Sequence, residues 1–247
     1  MITKYIVFIF IILLIIYCIY ISKRCTNTKI FEFDSNKPGP TILILAGTHG
    51  NEPAASHYFT QLIKNKIKIN QGKLIIIPRV NDCALKINSR SIPLIGDINR
   101  KYNLNDKTNG EINDKTNGEI NGINKQIMDI IKSNKIDFVL DFHEGYDFHK
   151  INKNSLGSTI TYTNDKTGKA KDYGEKIVDK LNKTITDDKK KFTLLDYNYK
   201  PIKGTLLELL SDLNISGILI ETSGQNNIQP LEKRLEQIDL IYKAVLL

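Results

Sequence analysis

At 247 residues, with 41% apolar and 25% charged residues, the chain is long enough for one sizeable globular domain with room for a short appendage. A net charge of +8 raises the question of an acidic partner, but the lysines are scattered and no basic helix is interleaved with aromatics, which argues against nucleic-acid binding. Three cysteines do not make a disulfide framework: Cys18 lies in an apolar segment, Cys25 follows it, and Cys83 has neither a CxxC partner nor a neighbour at metal-ligand spacing.

Tyr5 to Ile21 is apolar without a charge, flanked by Lys4 and by Lys23-Arg24. Its length is at the short end for a membrane span. A signal peptide would need a small-residue cleavage site, which Tyr20-Ile-Ser-Lys-Arg-Cys25 does not offer, and an all-round hydrophobic stretch at a terminus is seldom a core helix. An uncleaved single-pass anchor (residues 1–25) is therefore expected. Lys23-Arg24 favours a cytoplasmic side for the chain that follows, although the orientation stays open. Cys25 is expected to be a free thiol, with acylation as the alternative. A polar linker follows, at residues 26–40.

The main domain, residues 41–247, opens with Thr41 to Leu45, a β-branched and leucine run that reads as a buried strand. It breaks at Ala46-Gly47, places His49 and Glu52 three residues apart, and reaches Pro53, which suits the first turn of a helix. A strand that ends by presenting an imidazole and a carboxylate is a good place to hold a metal. Ala54 to about Ile67 carries apolar residues at helical spacing, with His57 read as structural. Lys73 to Val80 is a second buried strand, so strand, helix and strand imply a parallel α/β unit. Asn81 to Asn103 lacks periodicity but contains Arg90, Asp97, Asn99 and Arg100. A tandem duplication, NDKTNGEI at Asn105–Ile112 and again at Asn113–Ile120, is too short and polar for a solenoid and reads as a solvated loop insertion.

A helix at Ile123–Ser133 leads to a third buried strand, Ile136–Phe142, whose end delivers His143-Glu144-Gly145. Further strands are expected at Ser158–Thr163, Phe192–Leu195 and Ile215–Glu221, with helices at Gly168–Leu181, Thr205–Leu210 and Pro230–Leu247. The alternation defines an α/β class: a mostly parallel mixed sheet with helices on both faces. His49 with Glu52, His143 and Glu221 all stand at strand ends, where sites form in open α/β sheets. Two imidazoles and a carboxylate make a His₂Glu set, a zinc arrangement that leaves a fourth position for water.

Taken together, Gly47-Thr-His49-Gly-Asn-Glu52, Asn81-x-x-Ala84 with Arg90, Asp97-Ile-Asn99-Arg100, Asp141-Phe-His143-Glu144-Gly145 and Ile220-Glu221-Thr222 resemble the zinc carboxypeptidase superfamily. The likeness is greatest to its succinylglutamate desuccinylase/aspartoacylase branch. The resemblance implies that His49, Glu52 and His143 bind one zinc ion. It also implies that Arg90 stabilises an oxyanion, Asn99 and Arg100 grip a substrate carboxylate, and Glu221 is the general base. Asp97 and Asp141 are expected to orient neighbours, Glu144 to back the site or simply be solvated, and His149 to be exposed. Tyr197 or Tyr199 is a candidate helper that no motif fixes. The sequence departs from the branch in having Asp82 where a proline is usual and only a helix, not a β-rich domain, after Glu221. The implied activity is hydrolysis of an amide in a small carboxylate-bearing substrate of the N-acyl amino acid type. The alternatives are a zinc carboxypeptidase or peptide amidase, and an inactive membrane-bound binding protein of the same fold.

Overall fold

Four nearly continuous runs of apolar and β-branched residues fix the centre of the structure, because such runs can be buried on both faces of a sheet. In the computed structural model, residues 2–25, 28–93, 95–102 and 122–246 are described; in the first helix, α1 (Ile2–Arg24), the described side chains run from Tyr5 to Tyr17. The duplicated segment at 105–120 lies outside the described residues.

Among the described residues the sheet has seven strands, in the order β1-β3-β2-β4-β7-β5-β6. They are β1 (Phe31–Asp34), β2 (Thr41–Ala46), β3 (Lys73–Ile77), β4 (Phe138–Gly145), β5 (Thr159–Tyr162), β6 (Thr193–Asp196) and β7 (Gly217–Ser223). The central pairs β3/β2, β2/β4 and β4/β7, together with β5/β6, are parallel; β1/β3 and β5/β7 are antiparallel. The mixed, mostly parallel α/β expectation is met.

Alternate residues of the central strands enter two cores. On one face Ile42, Ile44, Phe138, Leu140, Phe142, Ile218 and Ile220 pack against α2 (Ala54–Lys64), α5 (Lys169–Asn182) and α7 (Leu231–Leu246). On the other, Leu43, Leu45, Ile75, Ile77 and Val139 meet α4 (Gly122–Ser133) and α6 (Leu206–Asp212). Each such fully buried side chain contributes about 1.5–3 kcal/mol. Asp141 and His143 continue the side of β4 that starts at Val139, so the strand leaves the core and enters the site without changing face.

Two expectations are corrected, and a third, the membrane-spanning helix, is not met among the described residues. The polar linker contains the edge strand β1, which alternates half-buried and exposed residues along β3. Cys25 is not a free thiol: it is buried and disulfide-bonded to Cys83, across a sequence separation too long for any spacing rule to register. The N-terminal transmembrane helix is not supported at the level expected. Residues 2–24 are helical, but among the described residues no helix is long and apolar enough to cross a membrane. Part of the expected span, Cys18 to Ile21, has side chains outside the described set.

Candidate active site

β2 ends at Ala46, and Gly47 turns the chain with φ +73°, in the left-handed region that favours glycine. A Cβ there would lie 2.8 Å from Leu85 Cδ1, and one on Gly50 would lie 1.9 Å from the Ala84 carbonyl oxygen. The turn therefore presses closely on α3 (Asp82–Lys86) while it lifts His49 and Glu52 beyond the sheet. Pro53 then precedes α2 at its N-cap, and the first helical N–H, that of Ala54, donates to Glu144 Oε1 at 2.7 Å. A carboxylate is well placed at a helix N-terminus.

His49, Glu52 and His143 are all buried, and one ligand atom from each falls within 4.8 Å of the others. His49 Nδ1 lies 2.9 Å from Glu52 Oε1, His143 Nδ1 lies 2.8 Å from Glu52 Oε2, and the two Nδ1 atoms are 3.2 Å apart. Turning two ring nitrogens toward each other and toward one carboxylate is a poor hydrogen-bond design, since at most one proton suits the nitrogen pair. It is a good ligand cage. The far nitrogens are held as metal-bound imidazoles usually are, by carboxylates: His49 Nε2 by Asp97 at 3.1 Å, and His143 Nε2 by Asp141 at 3.2 Å. The donor set and its outer carboxylates fit a zinc ion.

The electrostatics follow from this crowding of imidazoles and carboxylates. Burial opposes charge on both imidazoles, but Glu52 and Asp97 raise His49 above its ordinary value, and Asp141 and Glu52 raise His143 well above it. Burial likewise opposes a charged Glu52, yet the two histidines hold it well below the usual carboxylate range. Glu221 behaves in the opposite way. It stands beside His143 in the β4/β7 register, and burial, helped by the charge of Glu52, pushes its carboxyl well up, against the pull of His143, His49 and Arg90. A carboxylate poised to hold a proton suits a general base.

Arg90, Asn99 and Arg100 come from the segment after α3 and line the same cavity as the ligands and Glu221. Arg90 reaches Asp97 through Nε (3.1 Å) and Nη2 (2.8 Å), and reaches Glu52 through Nη1 (3.3 Å). Asp97 thus bridges a ligand imidazole and the arginine, and also accepts from the Asn99 N–H at 2.9 Å. Asn99 Oδ1 accepts from the Leu206 N–H at the start of α6, which ties the segment down. Arg100 is half-exposed, with Nη1 on the Asn99 carbonyl at 2.6 Å. All seven predicted site residues are thus brought together.

Other readings change. Glu144 is not solvated: it is buried, accepts from the α2 N-terminus and is paired with Arg234 of α7. Burial raises its carboxyl despite those two partners. His149 is buried rather than exposed, with Nδ1 on the Ser155 carbonyl at 2.7 Å, whereas His57 is exposed on α2. Tyr197 and Tyr199 both line the cavity. The residue that sequence reasoning missed outright is Gln225, whose Nε2 donates to Glu52 Oε1 at 3.0 Å and to the Glu144 carbonyl at 2.5 Å. No motif marks it; its position just past β7 was the one available signal.

A mixed sheet whose parallel central strands end in this His₂Glu cluster, with a carboxylate on the neighbouring strand, defines a fold and site of the zinc carboxypeptidase type. Within that superfamily, residues 38–157 match the family described as the succinylglutamate desuccinylase/aspartoacylase catalytic domain. No curated protein matches the sequence at a significant level. Among solved structures, the chain is similar to the apo cell shape determinant protein Csd4 of Helicobacter pylori, with TM-score 0.72 and 19% identity over 89% of this chain and 54% of Csd4. The mDAP-bound form of that protein, described as a D,L-carboxypeptidase, gives TM-score 0.69 and 19% identity over 87% of this chain and 53% of its own. An aspartoacylase family protein from Mesorhizobium loti gives TM-score 0.59 and 19% identity over 88% and 60%. The chain spans about half the length of Csd4, and at such identities the likeness is one of fold.

Proposed function

We propose that the chain is a zinc-dependent hydrolase that cleaves an amide bond in a small, carboxylate-bearing substrate. One observation carries this reading: His49, Glu52 and His143 turn their ligand atoms on one another, with Glu221 beside His143 on the adjacent strand. A zinc ion held by His49, Glu52 and His143 would supply Lewis acidity and would lower the pKa of water from about 15.7 to about 7. Glu221 accepts a proton from the attacking water and returns it to the leaving amine. Arg90, at the edge of the ligand cluster, donates to the oxygen on which negative charge develops. Arg100 and Asn99 hold the substrate carboxylate; a guanidinium does this through two parallel N–H bonds.

Two substrate types fit. The N-acyl amino acid reading is supported by the family match at residues 38–157. Removal of a C-terminal residue from a peptide is supported by the fold shared with Csd4, a protein also seen bound to a tripeptide. We further read α1 as a membrane tether, on the strength of the uncharged run Tyr5–Ile21 and the exposure of every described side chain from Tyr5 to Tyr17.

The test is a panel of N-acyl amino acids and short peptides offered to zinc-loaded protein and to Glu221→Gln. Turnover by the first and not the second is expected, and the panel member consumed names the substrate type. Protein that takes up no zinc and hydrolyses nothing on the panel would refute the proposal.

A further inference from the structure

The segment that carries Arg90 has little regular structure between α3 and the short turn at Ile98–Arg100. Its apolar support is a small cluster apart from both main cores: Cys25, Ala84 and Ile92, with Cys83 and Ile95 packed against them. One of its three buried members, Cys25, is delivered from the end of α1, far off in sequence, and is bonded to Cys83 within α3. The chain beyond Cys25 is pinned as well. Thr28 Oγ1 donates to the Arg79 carbonyl at 2.8 Å, and its N–H donates to Gln126 Oε1 at 3.0 Å.

From Cys83 the constraint runs into the site over a few residues. The Ser89 N–H donates to the Ala84 carbonyl at 3.1 Å, and the Ser89 carbonyl accepts from the Gly50 N–H at 2.9 Å. Gly50 is next to His49 and sits directly on Ala84, and Arg90 follows Ser89 with its guanidinium on Glu52 and Asp97.

We propose that the Cys25–Cys83 disulfide is a positioning element for Arg90, so that hydrolysis depends on an oxidising environment. The inference rests on the reading of Arg90 as the oxyanion donor. With the bond closed, the cluster beneath the arginine segment is covalently complete; with it open, Cys25 and the chain behind it can leave, and the segment loses its anchor. Disulfides persist in oxidising compartments and are rare in the cytosol. The bond therefore assigns the domain to the oxidising side, against the side that Lys23-Arg24 favoured.

The test uses full-length, zinc-loaded protein in detergent, as wild type and as Arg90→Ala, each before and after treatment with a water-soluble phosphine. The phosphine cleaves the S–S bond: two electrons pass to the sulfurs, water supplies two protons, and the phosphine leaves as its oxide. Peptide mapping without reductant should show Cys25 joined to Cys83. Reduction should lower kcat/KM of the wild type about ten- to hundredfold, as a misplaced catalytic group does, with zinc content unchanged. In Arg90→Ala it should change nothing further, a non-additivity that a general loss of stability would not produce. Cys25→Ser/Cys83→Ser should match the reduced wild type. Free thiols in the purified protein, an undiminished wild-type rate after reduction, or an equal loss in both backgrounds would overturn the proposal. If neither form hydrolyses anything, the hydrolase reading fails and hydrogen exchange decides the positioning: faster exchange confined to residues 83–95 on reduction supports it, and unchanged exchange there overturns it.

Discussion

Asp97→Asn separates the two halves of the site, because Asp97 serves both. Its Oδ1 faces His49 Nε2 at 3.1 Å and the Asn99 N–H at 2.9 Å, and its Oδ2 accepts from Arg90 at 2.8 and 3.1 Å. An asparagine keeps one acceptor oxygen and presents an NH₂ group to the other side, so either the imidazole or the guanidinium loses its partner. If the imidazole is released, the loss is that of an outer partner to a metal ligand, about 10- to 100-fold in metal affinity or activity. At about 1.4 kcal/mol per tenfold, that is roughly 1.4–2.8 kcal/mol. If the guanidinium drifts instead, the oxyanion loses a donor, for about 2.7–4 kcal/mol. Zinc affinity by chelator competition, measured beside kcat/KM, tells the two apart: the first outcome moves both, and the second moves kcat/KM alone. Zinc affinity and kcat/KM both within twofold of wild type would refute the view that Asp97 positions either group.

Glu221→Gln should retain zinc and lower kcat by about 10²–10⁴, since the amide cannot take the proton; single-turnover kinetics on the metal-loaded variant checks this. Arg100→Lys should raise KM more than it lowers kcat, because a lysine keeps the charge and loses the two-pronged grip; steady-state kinetics with and without the substrate carboxylate tests the split. Arg234→Met should destabilise the fold by about 3–5 kcal/mol in denaturant unfolding, because it leaves Glu144 buried and charged without its cation. Arg234→Met together with Glu144→Gln should recover much of that loss.

What was legible in the sequence is what is local. β2, β3, β4 and β7 were readable because strands buried on both faces must be continuously apolar, and the groups at their ends follow from where those runs stop. β1 was missed because it is a four-residue edge strand, too short and too polar to stand out from a linker. His149 was misjudged for a different reason. It lies two residues after Asp147 in a loop, which reads as exposed, but its loop folds back so that the imidazole meets the Ser155 carbonyl. The Cys25–Cys83 pairing, Gln225 on Glu52 and Arg234 on Glu144 join positions that only the folded chain brings together, and nothing in their spacing signals it.

The site therefore has two halves with different mechanical footing. His143 and Glu221 stand on adjacent central strands, and Glu52 is held from outside by Gln225 and by the Glu144 N–H, with Glu144 itself locked to Arg234 and the α2 N-terminus. Apart from Gln225, on the short turn after β7, these supports are sheet, helix or a buried ion pair. Arg90, Asn99 and Arg100 instead ride on an irregular segment whose order comes from Asp97, the Leu206 N–H and a small cluster closed by a disulfide. On the proposed reading, proton transfer and metal binding tolerate little displacement and fall mainly to the rigid half, with His49 shared through Asp97. Substrate grip can be re-aimed by changing a loop without disturbing the ligands, so differences in substrate between proteins of this fold should map to the arginine segment and its anchors. Exchanging residues 87–102, with Asp97 kept as the partner of His49, between this chain and a relative of the same fold should then transfer substrate preference while leaving zinc affinity in place, and loss of zinc binding in the chimera would count against the division.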